Sequence, residues 1–183
     1  MDAALVLFAR HGFAGTSIRM LAEEAGVSQG LLYNYYEGKE ELLHAIFERS
    51  IEEIQEDFAD ASEAPSPEEA LTVLIRSAFD TVRARPDFWS LWYQLRAQPD
   101  VVAGLGERVG EWAETILANI EALLTGLGSP DPAVRARLVF ATIDGAAQHY
   151  VLDPANYPLD RVGDELIELL ARPNPPPHAE ASP

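Results

Sequence analysis

Apolar residues recur at intervals of three and four along most of this chain, and no segment alternates apolar and polar residues as a half-buried strand does. Ile18, Leu21, Ala22 and Ala25, for example, follow the i, i+3, i+4, i+7 spacing of one helix face. Glycine and proline interrupt the periodic stretches. The sequence therefore predicts an all-α fold of about nine helices: one closed by Gly12, one from Thr16 or Ser17 to Ala25, one from Ser28 through Tyr35, one from Lys39 to about Asp60, and others near 67–84, 87–98, 100–126, 132–152 and 159–171.

Composition excludes several classes of protein. The 183 residues include no cysteine, which excludes disulfides, thiolate metal sites and thiol nucleophiles. No run of about 18 apolar residues is present, and the N-terminal stretch lacks the basic leader and cleavage site of a signal peptide. We therefore expect a soluble, cytoplasmic protein without a membrane partner.

The charge is strongly acidic and unevenly distributed. Thirteen Lys and Arg against 30 Asp and Glu give a net charge of −17. Residues 1–50 hold four basic and seven acidic residues, a net of −3, so the other 133 residues carry nine against 23, a net of −14. Nucleic-acid binders usually show a basic footprint. Any contact with nucleic acid is therefore expected in the less acidic N-terminal part.

The most informative segment is Gly15–Lys39, GTSIRMLAEEAGVSQGLLYNYYEGK. It reads as a capped eight-residue helix, a tight turn at Gly26 and a second short helix capped by Ser28, which is the helix-turn-helix pattern. The second helix carries side chains that can bond base edges or phosphates, and its glycine allows the backbone to approach DNA closely. These residues are Ser28, Gln29, Gly30, Tyr33, Asn34 and Tyr35.

With these motifs the sequence resembles the TetR family of transcriptional regulators over roughly residues 3–48. The matching positions are Ala3-Ala4-Leu5, Leu7-Phe8, Gly12-Phe13, Thr16-Ser17-Ile18-Arg19, Ala22, Ala25-Gly26-Val27-Ser28, Gly30, Leu32-Tyr33, Tyr35-Tyr36 and Lys39-Glu40-Glu41-Leu42. The resemblance implies that Thr16, Ser17 and Arg19 meet the DNA backbone or groove. It also implies that Lys39 reaches a phosphate, which a helix N-terminus favours independently.

The resemblance also has one departure. Family members usually carry a basic stretch before the first helix, whereas Met1 already lies at the predicted start of that helix. The expectation is either a truncated start or weaker DNA binding, with each lost phosphate contact lowering the salt slope of log K by roughly 0.9.

The C-terminal two-thirds concentrates aromatic residues that suit an apolar ligand site. The resemblance implies a ligand cavity among the central helices, about residues 58–125. The predicted lining is Phe58, Phe79, Phe88, Trp89, Trp92, Tyr93 and Trp112. For any single ring an ordinary core position is the favoured interpretation, whereas at least two of the rings are expected to border the cavity.

The last two predicted helices suit a symmetric four-helix interface, since one carries small residues and the other an apolar stripe. The predicted interface residues are Ala141, Gly145, Gln148, Leu159, Val162, Leu166 and Leu169. The alternative is that both helices pack only within the subunit. The predicted domains are a DNA-binding domain at 1–45, a ligand-binding and dimerisation domain at 46–172, and a disordered tail at 173–183.

The prediction is therefore a homodimeric repressor that binds double-stranded DNA at a palindromic operator and responds to a small-molecule effector. The alternative is a helical ligand-binding module with weak or lost DNA binding, motivated by the acidic charge. An enzyme is not predicted, because no nucleophile–base motif, phosphate loop or metal-ligand spacing is present. No cofactor or metal is expected: His149 and Asp144 are five residues apart and do not share a helix face cleanly.

Overall fold

The computed structural model describes residues 1–57 and 64–171, and every regular element in these two ranges is an α-helix. This confirms the all-α prediction. The helices are α1 (Asp2–Gly15), α2 (Ile18–Ala25), α3 (Gln29–Tyr33), α4 (Lys39–Asp57), α5 (Pro67–Ala84), α6 (Pro86–Leu95), α7 (Pro99–Gly126), α8 (Pro132–Leu152) and α9 (Leu159–Ala171). In the described part of the chain, none of them combines the length and apolarity that a membrane crossing requires.

The ends of the first three helices are set by local chemistry. Gly12 has φ +72° and ψ 161°, so the regular part of α1 stops there. Ser17 caps α2 by accepting a hydrogen bond from the Met20 N–H at 3.3 Å, and Ser28 caps α3 in the same way. Gly26 has φ +67°, the left-handed position that was predicted to end α2.

Two predicted boundaries differ from the structure. The third helix ends at Tyr33, two residues before the prediction, because the chain tightens and the Tyr35 N–H donates to the carbonyl three residues back, Leu32 O, at 3.0 Å. The fourth helix begins at Lys39 as predicted, but the last part of its predicted range lies outside the described residues.

Four helices of the C-terminal part begin at a proline, and a side chain caps two of them, α5 and α8. Ser66 accepts from the Glu69 N–H at 3.2 Å with Pro67 in the first turn, and Asp131 caps α8 in front of Pro132. Helices α6 and α7 also begin at a proline, one residue earlier than predicted. Proline suits a first turn because an N–H at that position has no carbonyl partner within the helix, so its absence costs no hydrogen bond.

The buried apolar residues form two clusters. The first joins α1, α4 and α6 through residues such as Phe8, Ile46 and Leu91, each no more than 1% exposed. The second joins α5, α7, α8 and α9 around Ile75 and Ile120. Helix α6 therefore belongs to the core that holds the N-terminal helices.

The predicted domain boundary at residues 45 and 46 falls inside the continuous helix α4. Phe47 and Ile54, beyond that boundary, are buried in the same core as α1. The division into two domains therefore stays a prediction. The predicted disordered tail, 173–183, lies outside the described residues.

Candidate nucleic-acid interface and ligand cavity

Helix α3 presents its polar and aromatic residues to solvent. None of its residues is buried, and Tyr33 and Tyr35 are 56% and 72% exposed. Gln29, Gly30 and Asn34 are exposed beside them. A short helix with nothing buried contributes little to the core and leaves its side chains available to a groove. The structure thus brings the predicted reading residues onto one surface.

The other side of this segment holds it against the protein. Leu32 and Tyr36 are partly buried and pack against the first core cluster, as does Ile18 of α2. The Ser28 Oγ accepts from the Leu31 N–H at 3.1 Å and so fixes the start of α3. Because α3 is held by one edge and one cap, its direction depends on the turn before it.

At the start of α2 the predicted residues take different positions. Ser17 and Arg19 are exposed, and the Arg19 guanidinium pairs with Glu23 at 3.2 Å. The prediction that Thr16 meets DNA needs correction. Its side chain is buried, with the residue 2% exposed, and its Oγ1 donates to the Gly12 carbonyl at 2.8 Å. The hydroxyl thereby bonds the backbone at the break in α1.

Lys39 also has an internal role. Its Nζ donates to the carbonyls of Phe13 and Thr16, at 2.9 and 3.2 Å, and lies 4.4 Å from the centroid of the Phe13 ring. The ammonium therefore holds the end of α1 against the start of α4. Its predicted phosphate contact stays a prediction.

The N-terminal basic groups are largely engaged within the protein. Besides the pairs just described, Arg49 contacts Asp2 and lies 3.3 Å from Glu53. The Arg49 hydrogen bond, followed by its charge, holds the pKa of Asp2 below its ordinary value. The surface around α3 is consequently polar and aromatic rather than strongly basic.

A cavity of about 220 Å³ lies among α5, α6, α7 and α8. Four of the predicted lining residues border it, Trp89, Trp92, Tyr93 and Trp112, and these include all three tryptophans of the chain. The remaining lining was not predicted. It consists of Leu74, Ala78, Thr81, Val82, Arg96, Val109, Ala113, Ile116, Phe140, Ile143, Asp144 and Ala147.

The other predicted lining residues need correction. Phe88 is 2% exposed and packs in the core, 5.2 Å from the Phe47 ring and 5.4 Å from the Trp89 ring between centroids. Phe79 is buried against α9, where a Cβ at Gly163 would lie 2.9 Å from its ring. Both rings fill contacts between helices, so neither borders the cavity. Phe58 lies outside the described residues.

One side of the cavity carries a connected polar group. The Arg96 guanidinium donates to both carboxylate oxygens of Asp144, at 3.0 and 2.7 Å. The Tyr93 hydroxyl lies 3.1 Å from the Asp144 carbonyl oxygen and 3.3 Å from its Oδ1. Burial, and then the Asp144 carboxylate, raise the pKa of Tyr93 above its ordinary value. The phenol is therefore a hydrogen-bond donor at neutral pH.

Two tryptophans of the cavity lining carry unpaired donors. The indole N–H groups of Trp89 and Trp112 are buried and have no hydrogen-bond partner. Their rings lie 6.2 Å apart between centroids. Thr81, in contrast, is satisfied, because its hydroxyl donates to the Ala78 carbonyl at 2.8 Å.

Helix α6 connects this cavity to the N-terminal helices. Its cavity side carries the aromatic residues, while Gln94 donates from its Nε2 to the Ala9 carbonyl of α1 at 2.8 Å. A Cβ at Gly12 would lie 3.8 Å from the Gln94 Oε1, so this contact sits beside the break in α1. A displacement of α6 would therefore reach α1 directly.

One face of α8 is exposed along its whole length. Val134, Leu138 and Leu152 on this face are 52%, 62% and 75% exposed, and Ala141 is exposed as well. With the partly exposed Gly145 and with Gln148, the positions 134, 138, 141, 145, 148 and 152 follow alternating intervals of four and three. That spacing places them on one stripe of the helix. The prediction missed Val134, Leu138 and Leu152, although this spacing is readable in the sequence.

The predicted interface on α9 is only partly accessible. Leu169 is 50% exposed and Val162 is partly buried. Leu159 and Leu166 need correction, since they are 3% and 8% exposed and belong to the second core cluster within the subunit. The apolar stripe of α9 mainly holds this helix to α5 and α8.

Comparison with known proteins matches both parts of the chain. Residues 1–46 match the family described as bacterial regulatory proteins, tetR family, and residues 67–172 match the BetI-type transcriptional repressor, C-terminal family. The chain is 25% identical over 181 residues to the fatty acid metabolism regulator protein of Bacillus subtilis (strain 168), which covers 93% of this chain and 91% of that protein.

Two solved structures share the fold. A transcriptional regulator from Rhodococcus sp. Rha1 superposes with a TM-score of 0.81 at 25% identity, covering 92% of each chain. The regulator FadR from Bacillus subtilis, solved in complex with stearoyl-CoA, superposes with a TM-score of 0.77 at 22% identity, covering 92% of this chain and 94% of that one.

Proposed function

This chain belongs to the TetR family of bacterial transcriptional regulators, and from that premise we propose that it is a repressor that binds a palindromic operator as a homodimer and releases it when a small molecule fills the cavity. The observation that carries the proposal is the exposure of α3. A helix with no buried residue, presenting Gln29, Tyr33 and Asn34 beside a fixed turn, is suited to the major groove. Such a regulator acts in the cytoplasm, where the chromosome is.

The exposed face of α8 supports the homodimer. Leu138 and Leu152 are unusually exposed for leucine, and Gly145 between them allows a second helix to approach closely. Two copies of this face form a two-fold symmetric interface, in which the same residues serve both subunits. The symmetry then matches two half-sites about one helical turn of DNA apart.

The position of α6 supports a link between ligand and DNA. Trp92 and Tyr93 of α6 border the cavity, and Gln94 of the same helix donates a hydrogen bond to the Ala9 carbonyl of α1. A ligand that prefers one position of α6 shifts the N-terminal helices toward the matching conformer. A hundredfold loss of operator affinity requires about 2.7 kcal/mol of coupling. Burying on the order of 100 Å² more apolar ligand surface in one conformer than in the other supplies that amount.

The relatives support an effector with a large apolar part. The Bacillus subtilis relative regulates fatty acid metabolism, and the FadR structure holds stearoyl-CoA, whose acyl chain is apolar. The cavity described above is walled mainly by aliphatic and aromatic side chains. We therefore propose an effector of that general character for this chain.

The test is selection of bound sequences from a randomised duplex pool, followed by fluorescence anisotropy on the enriched duplex. The expected result is a palindromic consensus. Gln29→Ala is expected to weaken binding about tenfold, because a glutamine contact to a base edge contributes about 1–3 kcal/mol. Gln55→Ala is the matched control, since Gln55 is also exposed but lies far along α4.

The result that would contradict the proposal is no enrichment of any sequence while the protein remains folded and dimeric. That outcome favours the alternative, a ligand-binding module without DNA binding, which the net charge of −17 and the Arg19–Glu23 pair also suit.

A further inference from the structure

The polar group at the cavity contains one positive and one negative side chain, so its net charge is zero. Arg96 and Asp144 are the charged residues of the cavity lining, and they pair with each other at 2.7 Å. Asp144 has a second partner in the Tyr93 hydroxyl. Each charge is therefore already compensated by the protein before any ligand enters.

On two of the aromatic rings of the wall, the position that would attract a cation is already filled. The Arg96 guanidinium carbon lies 5.8 Å from the centroids of both the Trp92 and the Tyr93 rings. Rings of this kind are the usual partners of an ammonium ligand. Here the chain's own arginine occupies that place on Trp92 and Tyr93, so a cationic ligand at these two rings would have to displace it.

An anionic ligand is disfavoured for a related reason. Its charge would approach Arg96 only beside the Asp144 carboxylate, which repels it, and the rest of the wall is mainly apolar. An ion that is not paired loses its hydration without compensation in such surroundings. A neutral molecule does not pay this penalty.

We infer that the cavity selects an effector whose buried part is uncharged and apolar, and that the Arg96–Asp144 pair enforces this selection by excluding cations and anions alike. The inference rests on the proposed function and names the ligand class of the same cavity. A dry cavity of about 150 Å³ holds a benzene molecule. The cavity of about 220 Å³ accordingly suits a buried part of on the order of ten non-hydrogen atoms.

The test uses three octyl compounds of matched chain length: octan-2-one, octanoate and octyltrimethylammonium. Because Trp89, Trp92 and Trp112 are the only tryptophans of the chain and all border the cavity, intrinsic fluorescence reports binding without a label. The expected result is that octan-2-one binds about tenfold more tightly than either ion. An ion that binds as tightly as the ketone, or no binding by any of the three, overturns the inference.

Two variants test the role of the ion pair itself. Asp144→Asn leaves Arg96 uncompensated and is expected to tighten octanoate about threefold or more. Arg96→Gln leaves Asp144 uncompensated and is expected to tighten octyltrimethylammonium by a similar factor. Opposite effects on the two ions cannot come from general loss of folding, which weakens both.

The matched controls are Asp164→Asn and Arg76→Gln. These residues form a 3.2 Å ion pair between α5 and α9, outside the cavity lining, so neither change should alter the ranking of the three compounds. Operator binding is measured in parallel on the unliganded protein. Its absence would count against the proposed function, while the ranking of the three compounds is decided by fluorescence alone.

Discussion

The turn before α3 provides a prediction whose size follows from the backbone alone. Gly26 has φ +67° and ψ 29°, and the surrounding hydrogen bonds run from the Gly26 N–H to Glu23 O and from the Val27 N–H to Ala22 O. This is the Schellman arrangement, which requires a left-handed residue. A Cβ at Gly26 would have no atom within 4 Å. Replacement by alanine therefore introduces conformational strain without a clash.

The expected cost of Gly26→Ala is about 1 kcal/mol in the free energy of unfolding. The left-handed conformation costs a residue with a Cβ about 1–2 kcal/mol, and the more restricted unfolded chain returns about 0.4–1 kcal/mol. For a chain of this length that difference lowers the midpoint of thermal unfolding by about 2–4 °C. Gly26→Asn should cost less, since asparagine visits this conformation more readily.

The control is the same substitution in a helix. Gly110 lies inside α7, and a Cβ there would also have no atom within 4 Å. Gly110→Ala should therefore raise the free energy of unfolding by about 0.5–1 kcal/mol. Urea unfolding followed by circular dichroism measures both variants. The reasoning is refuted if the two substitutions change stability in the same direction.

Three further predictions concern the interface, the coupling and the pH dependence. Gly145→Ala should weaken the dimer about tenfold or more in sedimentation analysis, because an added methyl separates closely packed helices. Gly110→Ala should leave the dimer affinity unchanged. Equal dimer affinities of the two variants would place Gly145 outside the interface. Gln94→Leu removes the hydrogen bond to Ala9 and should reduce the ligand-induced loss of operator affinity several-fold. The affinity for the ligand should stay within about twofold of wild type. An unchanged loss of operator affinity would show that this contact does not couple the cavity to the DNA-binding helices. The raised pKa of Tyr93 means that its contribution to stability is present below about pH 10 and is lost as pH rises through the folded-state pKa. Wild type should therefore lose stability more steeply than Tyr93→Phe above about pH 10. Parallel curves of stability against pH for the two proteins would contradict this.

The parts of the fold that the sequence predicts well depend on neighbours along the chain. The caps at Ser17 and Ser28 and the left-handed Gly26 each act within four residues. Their chemistry is therefore complete in a short window of sequence. The predicted starts of α5 and α8, at Pro67 and Pro132, also agree with the structure.

The misjudged positions depend on contacts between distant segments. Thr16 has the polarity of a surface residue, but it is buried and its hydroxyl binds the Gly12 carbonyl at the break in α1. Phe79 and Phe88 pack between helices, whereas Trp89 and Trp92 border the cavity. The periodicity of the sequence does not show which of these aromatic residues meets a neighbouring helix and which meets the cavity.

The polar group of the cavity was missed for the same reason. Arg96 and Asp144 are 48 residues apart, and nothing near either residue in the sequence signals the pair. The exposed stripe on α8 is different. Its three-and-four spacing at Val134, Leu138 and Leu152 is visible in the sequence, but only the structure shows that these residues face outward.

The most direct test of the account is the affinity for the selected operator compared with a scrambled duplex of the same composition, measured across a salt titration. The account predicts a preference for the operator of about a thousandfold or more. It also predicts a slope of log K against log salt steeper than about −3, since both subunits contact phosphates. Equal affinity for the two duplexes at every salt concentration, with the protein folded and dimeric, would contradict the claim that α3 reads DNA.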